Sequence, residues 1–531
     1  MCFYQGPWPL KFFRVNVSTK QRVARTSRTL SFFWVWGFFW VAFSAAGQTK
    51  ELPLLDGQED PNTRRLSLVE VIKMAKELSP SYQQALTQLE NRTWQYQTYK
   101  SNYLPQLKLN ATLPDYTKSI NPIVQPSGNI EFRRQHVATT YTELALSQNI
   151  GLTGGVVSVN SNLKRIDDFM RPSNVSRHSY SSAPAVVTLS QPIFRSNYLK
   201  WDRRIEPLRY EEAKRSFWEE MERISIRATD LYFSQLQSQI GFDIASKNVA
   251  NNDTLFKIAQ ARFYQAKISV NELLQLELSL LTSRQSLEQA KLDIETSTLR
   301  LRSYLGITDD YPIRLSTPDA IPQFEVNEAF ALEQAKENRS RMVGLKREEL
   351  EAERNMAQAE GDAGVNANLY LQYGLVQQSN SVGEVYQDPS EQQRVVMTVS
   401  VPIMDWGRTK SKLGTARANQ KLVKANLEQQ RANFEQDVYL QIKRFKMLRE
   451  QMKIAQQANG LAERRFLGAR DRYLSGKIGI LELNQAATER DSARRSYVSN
   501  LRNFWDAYYN VRLQTLYDFE MNQPLVLPLP F

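Results

Sequence analysis

RYLSGKIGILEL, residues Arg472–Leu483, interrupts a long run of helix-forming sequence with glycines and isoleucines. Its counterpart RFYQAKISVNEL, Arg262–Leu273, lies 210 residues earlier in the chain. No proline occurs from Leu208 to Tyr311 or from Ile403 to Gln523, so each interruption lies inside otherwise continuous helical sequence. An interruption that occurs twice at matched positions predicts a turn between two antiparallel helices.

A second pair of segments has the same offset, VTLSQPIF at Val187–Phe194 and MTVSVPIM at Met397–Met404. The shared offset predicts an internal two-fold repeat of helix, strand, loop, strand, long helix, turn and return helix. Each long helix has about 60–70 residues and a length of roughly 100 Å, which no compact globular domain needs. We therefore predict a fold that is mainly α with β.

The repeat sets the expected domain boundaries. The first repeat covers 48–323, with strands near 104–113 and 185–194, a long helix at about 197–265 and a return helix at about 270–303. The second covers 324–519, with strands near 366–376 and 394–404, a long helix at about 407–475 and a return helix at about 480–516. Residues 520–531 form a C-terminal tail.

The expected strands alternate apolar and polar residues. In QLKLNATL, the residues Leu107, Leu109, Ala111 and Leu113 share one face of the strand. This pattern suits a soluble sandwich, and it equally suits a barrel with lipid outside and water inside.

The first repeat also carries an additional strand-like pair, Glu143–Asn149 and Val156–Leu163, around three glycines. Two strands per repeat give about four strands per chain. We favour the interpretation that the hairpin at about 143–163 is an embellishment outside the barrel. The alternative is that it joins the barrel and raises the strand count.

The N-terminal residues 1–47 have the pattern of a secretory signal peptide. An acid-free basic segment precedes an apolar run at Leu30–Ala46, which ends in small residues. An uncleaved N-terminal anchor is the alternative. Cleavage near Gly47 would remove six of the twelve net positive charges and Cys2, the only cysteine. The mature chain would be only mildly basic, so we expect no nucleic-acid partner.

Candidate catalytic and metal-binding residues are scarce. The two histidines, His136 and His178, fall in predicted loops, and the sequence has no phosphate-binding glycine loop and no nucleophile elbow. We therefore expect neither an enzyme nor a bound cofactor or metal.

In order and duplication, these segments resemble the TolC family of outer-membrane efflux proteins from about Leu66 to Phe519. The resemblance rests on LPQLKLNA (Leu104–Ala111), LSQPIF (Leu189–Phe194), VSVPIMDWGR (Val399–Arg408) and the long helix, turn and return helix. It implies a homotrimer whose strands form one β-barrel in the outer membrane. That barrel would be continuous with a long α-helical barrel in the periplasm of a Gram-negative-type bacterium.

The resemblance places both turns at the periplasmic tip, where a periplasmic adaptor protein docks. The implied docking residues are Ala266, Lys267, Ile268, Ser269, Gly476, Lys477, Ile478 and Gly479. The alternative for the isoleucines is that they hold the two helices of each hairpin together.

The resemblance also implies a periplasmic gate at Glu272 and Glu482. Arg472 and Tyr473, just before the second turn, are candidates to hold this gate closed by hydrogen bonds, and the alternative for them is an ordinary solvated helix face. Glu272 and Glu482 would contribute to an acidic ring at a narrow pore. Both positions suit helix capping as well, because Ser269–Glu272 reads as a capping box and Gly479 with Glu482 as a weaker version. A second acid three residues further on, frequent in the family, is replaced by Gln275 and Gln485.

The implied function is an exit duct across the outer membrane for a tripartite efflux or type I secretion system. Its partners would be two further copies of the chain, a periplasmic adaptor, an inner-membrane efflux pump or ABC transporter, and outer-membrane lipid. The alternative is an exported coiled-coil scaffold, which the duplicated strand pairs argue against. The sequence leaves the cargo open among drugs, metals and proteins.

Overall fold

The computed structural model describes residues 64–172, 175–308, 312–318 and 321–525. The predicted signal peptide lies outside these ranges, as do the last residues of the predicted tail. The helices are α1 (Leu68–Leu78), α2 (Pro80–Ser101), α3 (Tyr198–Tyr264), α4 (Val270–Leu305), α5 (Glu328–Asn338), α6 (Ser340–Ala363), α7 (Arg408–Leu474) and α8 (Ile480–Thr515).

The strands are β1 (Arg64–Leu66), β2 (Gln106–Val124), β3 (Ile130–Ile150), β4 (Gly155–Asp168), β5 (His178–Ile193), β6 (Ile313–Leu315), β7 (Asn366–Ser379), β8 (Ser390–Ser400), β9 (Tyr517–Asp518) and β10 (Gln523–Pro524). None of the helices in the described ranges combines the length and the apolarity that a membrane-spanning helix requires.

Two helical hairpins dominate the fold. Helices α3 and α7 each have 67 residues, and their return helices α4 and α8 each have 36. At 1.5 Å per residue each long helix extends over roughly 100 Å. The strongest packing within each hairpin runs between α3 and α4 and between α7 and α8, and α3 also contacts α6 and α8. The two hairpins therefore pack along each other.

The main sheet has six antiparallel strands in the order β2-β3-β4-β5-β7-β8. The expectation of about four strands with a separate hairpin at 143–163 is wrong, because that hairpin forms the facing parts of β3 and β4. A tight turn around Gly154, whose φ is +76°, reverses the chain between them. After this turn, the side chains of β4 still alternate between the two faces, and β4 pairs with β3 in the sheet.

One face of this sheet is apolar and the other is polar. Antiparallel residues that face each other directly project to the same side. Leu107, Leu146, Val159 and Val187 follow one another as cross-strand partners from β2 to β5. Leu107 is 64% exposed and Val159 is 43% exposed, so the part of the chain that the structure describes leaves this apolar face uncovered.

The β2–β3 hairpin is the longest part of the sheet. Strands β2 and β3 remain paired as far as Val124 and Ile130, whereas β3 begins to pair with β4 only at Val137. The outer end of this hairpin, residues 116–136, therefore extends beyond the other strands, at the end of the sheet remote from the long helices.

The hydrophobic core surrounds the middle of the long helices. It is built mainly from aromatic and aliphatic residues of α3, α7 and α8, including the fully buried Tyr232, Phe233, Phe445 and Phe504. Helices α1 and α5 and the parallel pair β1–β6 pack on this core and close it. The two repeats thus share one hydrophobic core and do not form two separate domains.

Candidate functional site

The turns that join α3 to α4 and α7 to α8 have the same backbone hydrogen bonds. In the first, the Lys267 N–H donates to the Arg262 carbonyl at 2.9 Å, and Ala266 N–H donates to Phe263. In the second, the Lys477 N–H donates to the Arg472 carbonyl, also at 2.9 Å. This six-to-one bond with an inner five-to-two bond is the Schellman motif that ends helices.

The residue after each helix adopts a left-handed backbone conformation, as the Schellman motif requires. Its φ is +57° at Ala266 and +72° at Gly476. Glycine adopts this conformation freely, whereas alanine is strained by its Cβ. The two turns therefore share one geometry, but the first holds it against a steric cost.

The return helices begin differently. Ser269 and Glu272 form a complete capping box, in which the Ser269 hydroxyl accepts from the Glu272 N–H and the Glu272 carboxylate accepts from the Ser269 N–H. Gly479 begins α8 without a side-chain cap, and Glu482 is exposed in its first turn. Glu272 is thus held by its own helix end, whereas Glu482 is not held in this way.

An apolar cluster closes the end of the second hairpin. Phe466 and Tyr473 of α7 are buried against Leu483 of α8, and Ile478 and Ile480 pack on them while only half-buried. The Arg490 guanidinium lies 3.9 Å from the centre of the Phe466 ring, as in a cation–π contact. Ile478 therefore packs within its own hairpin, and part of its side chain remains accessible.

Several contacts join the two hairpins near their ends. The Arg262 guanidinium lies 5.9 Å from the centre of the Tyr473 ring, and Leu255 packs on the apolar cluster of the second hairpin. Further along, the Asn248 amide donates to the Asp491 carboxylate at 2.9 Å. These contacts hold the two turns side by side at one end of the molecule.

The predicted docking residues lie together on the two turns. Ile268 and Ile478 are half-buried. The other six residues are exposed: Ala266, Lys267, Ser269, Gly476, Lys477 and Gly479. The predicted gate residues do not form one cluster within a single chain. Arg472, Glu272 and Glu482 are exposed, whereas Tyr473 is 8% exposed and packs inside its hairpin. Phe466, Leu483 and Arg490 are not among the residues predicted from the sequence, although Phe466 and Tyr473 are seven residues apart.

The opposite end of α7 has its own stabilised junction. The Asp405 carboxylate accepts hydrogen bonds from the N–H groups of Gly407 and Thr409 at 3.0 and 2.8 Å. The bonds from Thr409 and Gly407 hold the pKa of Asp405 below its ordinary value. Trp406 is 90% exposed, just beyond the last strand of the sheet. This is where an indole side chain would lie at a membrane interface.

Within the described ranges, no group of three or more His, Cys, Asp or Glu side chains converges as a metal site would. The turns instead present lysines, polar backbone and partly exposed isoleucines, which suit contact with another macromolecule.

A sheet with one uncovered apolar face, followed by paired hairpins of roughly 100 Å, defines the class of outer-membrane channels with a helical tunnel. Comparison with known proteins agrees. The sequence pattern of the outer membrane efflux protein family matches residues 71–307 and 331–513, and the chain belongs to this family. The resemblance to the TolC family and the mixed helical and barrel-forming fold class are confirmed, with the strand count corrected to six.

Solved channels have a similar fold. The Campylobacter jejuni outer membrane channel CmeC has 14% identity and a TM-score of 0.60, covering 88% of this chain and 87% of its own. VceC from Vibrio cholerae has 12% identity and a TM-score of 0.56, covering 85% and 95%. CusC has 14% identity and a TM-score of 0.58, covering 84% and 91%. No curated protein sequence matches the chain. The family and the fold define an outer-membrane efflux channel.

Proposed function

We propose that the chain forms the exit duct of a tripartite efflux or type I secretion system. A homotrimer would conduct substrates from an inner-membrane transporter across the periplasm and the outer membrane. The proposal rests on one observation: a sheet with an apolar face that suits contact with lipid leads directly, in the same chain, into helices of roughly 100 Å. The duct itself supplies no chemistry, and an inner-membrane pump or ABC transporter supplies the energy.

The two turns form the docking surface for a periplasmic adaptor in this proposal. They lie at the end of the helices remote from the sheet, and the contact of Arg262 with the Tyr473 ring holds them together. Exposed Lys267 and Lys477 and the accessible parts of Ile268 and Ile478 offer charge and apolar surface in one place. Such mixed surfaces suit a helical partner with an apolar stripe and acidic flanks.

The gate of the duct is proposed at the start of the two return helices. Glu272 and Glu482 are exposed there, and three copies would bring six carboxylates to one end of the tunnel. A ring of carboxylates attracts cations and raises the barrier for anions. Arg472 and Tyr473 belong to the same proposed gate, with Tyr473 acting through the packing of its hairpin.

Outer-membrane fractions test the duct proposal. The protein should enter the outer-membrane fraction and migrate as a trimer that dissociates only on heating, because its apolar sheet face is covered only in lipid. Recovery as a soluble monomer would contradict the duct and favour an exported scaffold.

Crosslinking at the turns tests the adaptor surface. A photoreactive residue at Ile268 or Ile478 should capture a periplasmic protein in intact cells. The same residue at Trp94, which is 65% exposed but lies in α2, serves as the control. Capture at Trp94 alone, or at none of the three positions, would refute docking at the turns. The identity of the adaptor would then narrow the cargo.

A further inference from the structure

We propose that three copies of the chain close an eighteen-stranded barrel, in which β3 and β4 add a third strand pair per copy and widen the outer-membrane pore. The inference rests on the proposed function, because it takes the chain to be a trimeric duct. In this barrel, each free edge of the sheet pairs with a neighbouring copy of the chain. Strand β8 of one copy pairs with β2 of the next copy.

The register across the sheet shows that all six strands have the same inner and outer face. One row of cross-strand partners begins at Gln106 and crosses all six strands. Every residue in this row is polar: Gln106, Ser147, Ser158, Thr188, Gln372 and Arg394. The two neighbouring rows project to the opposite side. One contains Leu107, Leu146, Val159, Val187 and Tyr373 and ends at Gln393 in β8, and the other contains Gln148 in β3 and then Val157, Leu189, Leu371 and Val395.

Within these rows β4 and β5 follow the pattern throughout, whereas β3 departs from it at Gln148 and β8 at Gln393. A strand needs about 9–11 residues to cross a bilayer, and β3 has 21 residues and β4 has 14. Val157 and Val159 of β4 lie in the two apolar rows, with Ser158 between them in the polar row. A hairpin outside the barrel would need no such match, so the register favours a place in the barrel wall.

The two free edges of the sheet require partners. Strands β2 and β8 each pair on one side within the chain, and their other backbone groups would face lipid unpaired. The sheet cannot satisfy them by closing on itself, because even eight strands leave an interior just filled by side chains. Strand β2 runs away from the helices and β8 runs back toward them. Two neighbouring copies therefore bring β8 and β2 together antiparallel.

The stagger of the strands matches a closed barrel. Gln106 is the first residue of β2, whereas its row reaches β8 at Arg394, six residues before Ser400 at the end of that strand. Both ends connect to helices and are taken to lie at the same level. The shift along the strands is then six residues, about 20 Å, and the distance across the sheet is five strand spacings, about 24 Å. The ratio of these two distances corresponds to a strand tilt of about 40° from the barrel axis. Closed barrels have strand tilts of about 35–45°.

The consequence is a wider pore. At a fixed tilt and strand spacing, eighteen strands have about 1.5 times the circumference of the twelve strands that two strands per repeat would give. Barrels of about 16–18 strands enclose an aqueous channel. The narrowest part of the duct then lies in the helical tunnel rather than in the membrane. The barrel would admit bulky polar solutes, including unfolded or compact polypeptide, without closing on them.

Cysteine labelling in outer-membrane vesicles tests the place of β4. In a Cys2→Ser background, we would introduce Ser158→Cys and Asn160→Cys on the polar face and Val157→Cys and Val159→Cys on the apolar face. A charged, membrane-impermeant maleimide should react at least about tenfold faster on the polar face, because thiols in lipid neither ionise nor meet the reagent. Two sites per face guard against a single variant that fails to fold.

Matched sites on β5 serve as the control, Thr188→Cys on the polar face and Val187→Cys on the apolar face. If β5 alternates and β4 is labelled equally on both faces, the hairpin lies outside the barrel and this inference is overturned. If β5 itself fails to alternate, the duct proposal fails. A density map of the purified trimer gives the direct answer, with eighteen strands expected and twelve contradicting the inference.

Oxidative crosslinking tests the pairing of free edges. Leu107→Cys with Val399→Cys in one chain places thiols on β2 and β8, on the same face near the helical end. Oxidation should link each copy to the next and give covalent trimers on non-reducing gels. Leu146→Cys with Val399→Cys is the control, because β3 lies inside the sheet and should yield monomers. Trimers in the control but not in the test pair would overturn the proposed edge pairing.

Discussion

At the scale of single residues, the difference between Ala266 and Gly476 is the clearest inequality between the repeats. Both residues have a left-handed backbone, and a Cβ at Gly476 would meet no atom within 4 Å. The effect of a substitution at Gly476 is therefore one of backbone strain alone. The first turn keeps its strained alanine, although glycine would fit the same bonds.

Exchanging these two residues should have opposite effects on the turns. Gly476→Ala should destabilise the second turn by about 1 kcal/mol, and Ala266→Gly should stabilise the first by a similar amount. Each change alters local opening about fivefold, since 1.4 kcal/mol is a factor of ten. Hydrogen exchange of peptides across each turn measures this. Equal exchange in both variants and the parent would show that the left-handed residue does not limit opening.

The two glutamates should separate capping from gating. Glu272→Gln and Glu482→Gln each remove three charges from the proposed trimer ring and should lower its cation preference, measured as the reversal potential in a salt gradient. Ser269→Ala leaves the ring charge intact and should weaken only the start of α4, by about 1 kcal/mol. Glu295→Gln, on the exposed part of α4 farther from the turn, is the control. An unchanged reversal potential in both glutamate variants would refute the acidic gate.

At the scale of elements, a buried ionic cluster joins three helices. The Glu222 carboxylate is 3% exposed and accepts from Lys76 at 2.7 Å and from Arg512 at 3.0 Å, linking α3 to α1 and α8. Burial lowers the pKa of Arg512, but Glu222, Tyr508 and Asp518 together more than offset this and hold the pKa above its ordinary value. Arg512 also pairs with Asp518 at 2.5 Å.

Removing this arginine should cost far more than removing an exposed one. Arg512→Met leaves Glu222 and Asp518 with one fewer partner each and should lower the free energy of unfolding by about 3–5 kcal/mol. Arg470→Met, which breaks a pair whose two side chains are 51% and 68% exposed, should cost less than about 1 kcal/mol. Chemical unfolding of the purified protein in detergent compares them. Equal losses would show that the cluster is not important for stability.

A second ionic contact should make the attachment of α5 sensitive to pH. The Glu328 carboxylate accepts from Lys446 at 2.8 Å and from Lys443 at 2.9 Å, and these bonds lower the pKa of Glu328. Because the folded pKa is depressed, the stabilisation is present above the ordinary carboxyl pKa and is lost as pH falls through the folded value. The unfolding temperature of Glu328→Gln should therefore vary less than the parent's below about pH 5. An identical pH profile would contradict this.

The sequence was informative about elements where a pattern occurred twice. The matched spacing of Arg262–Leu273 and Arg472–Leu483 predicted both turns, because a turn depends on local residues. The place of β3 and β4 could not be derived in the same way. Alternation assigns a face to each strand, but the partner of a strand depends on pairing across the sheet. Tyr473 shows the same limit, because a residue beside a turn reveals its exposure only when the packing of α8 is known.

At the scale of the whole molecule, the two repeats have diverged most at the membrane end. The first repeat contributes four strands to the sheet and the second contributes two, whereas both contribute a 67-residue helix and a 36-residue helix. The helical part thus keeps the two-fold repeat, and the sheet does not. The number of strands in the sheet can therefore change without altering the helical hairpins or the turns that we propose as the docking surface.

The β2–β3 hairpin, which extends past the other strands, has a consequence for the bacterial surface. Because it lies at the end of the chain opposite the two helical turns, three copies of the proposed duct would display three such arms into the surrounding medium, with Ile120, Val124 and Phe132 exposed on each. Gly128 lies in the turn of this arm with a φ of +86° and no atom near a Cβ. An epitope inserted there should bind antibody on intact cells. An epitope inserted at Gly383 should show whether antibody also reaches the shorter loop between β7 and β8. These arms would be the part of the duct that bacteriophages, antibodies and neighbouring cells meet first.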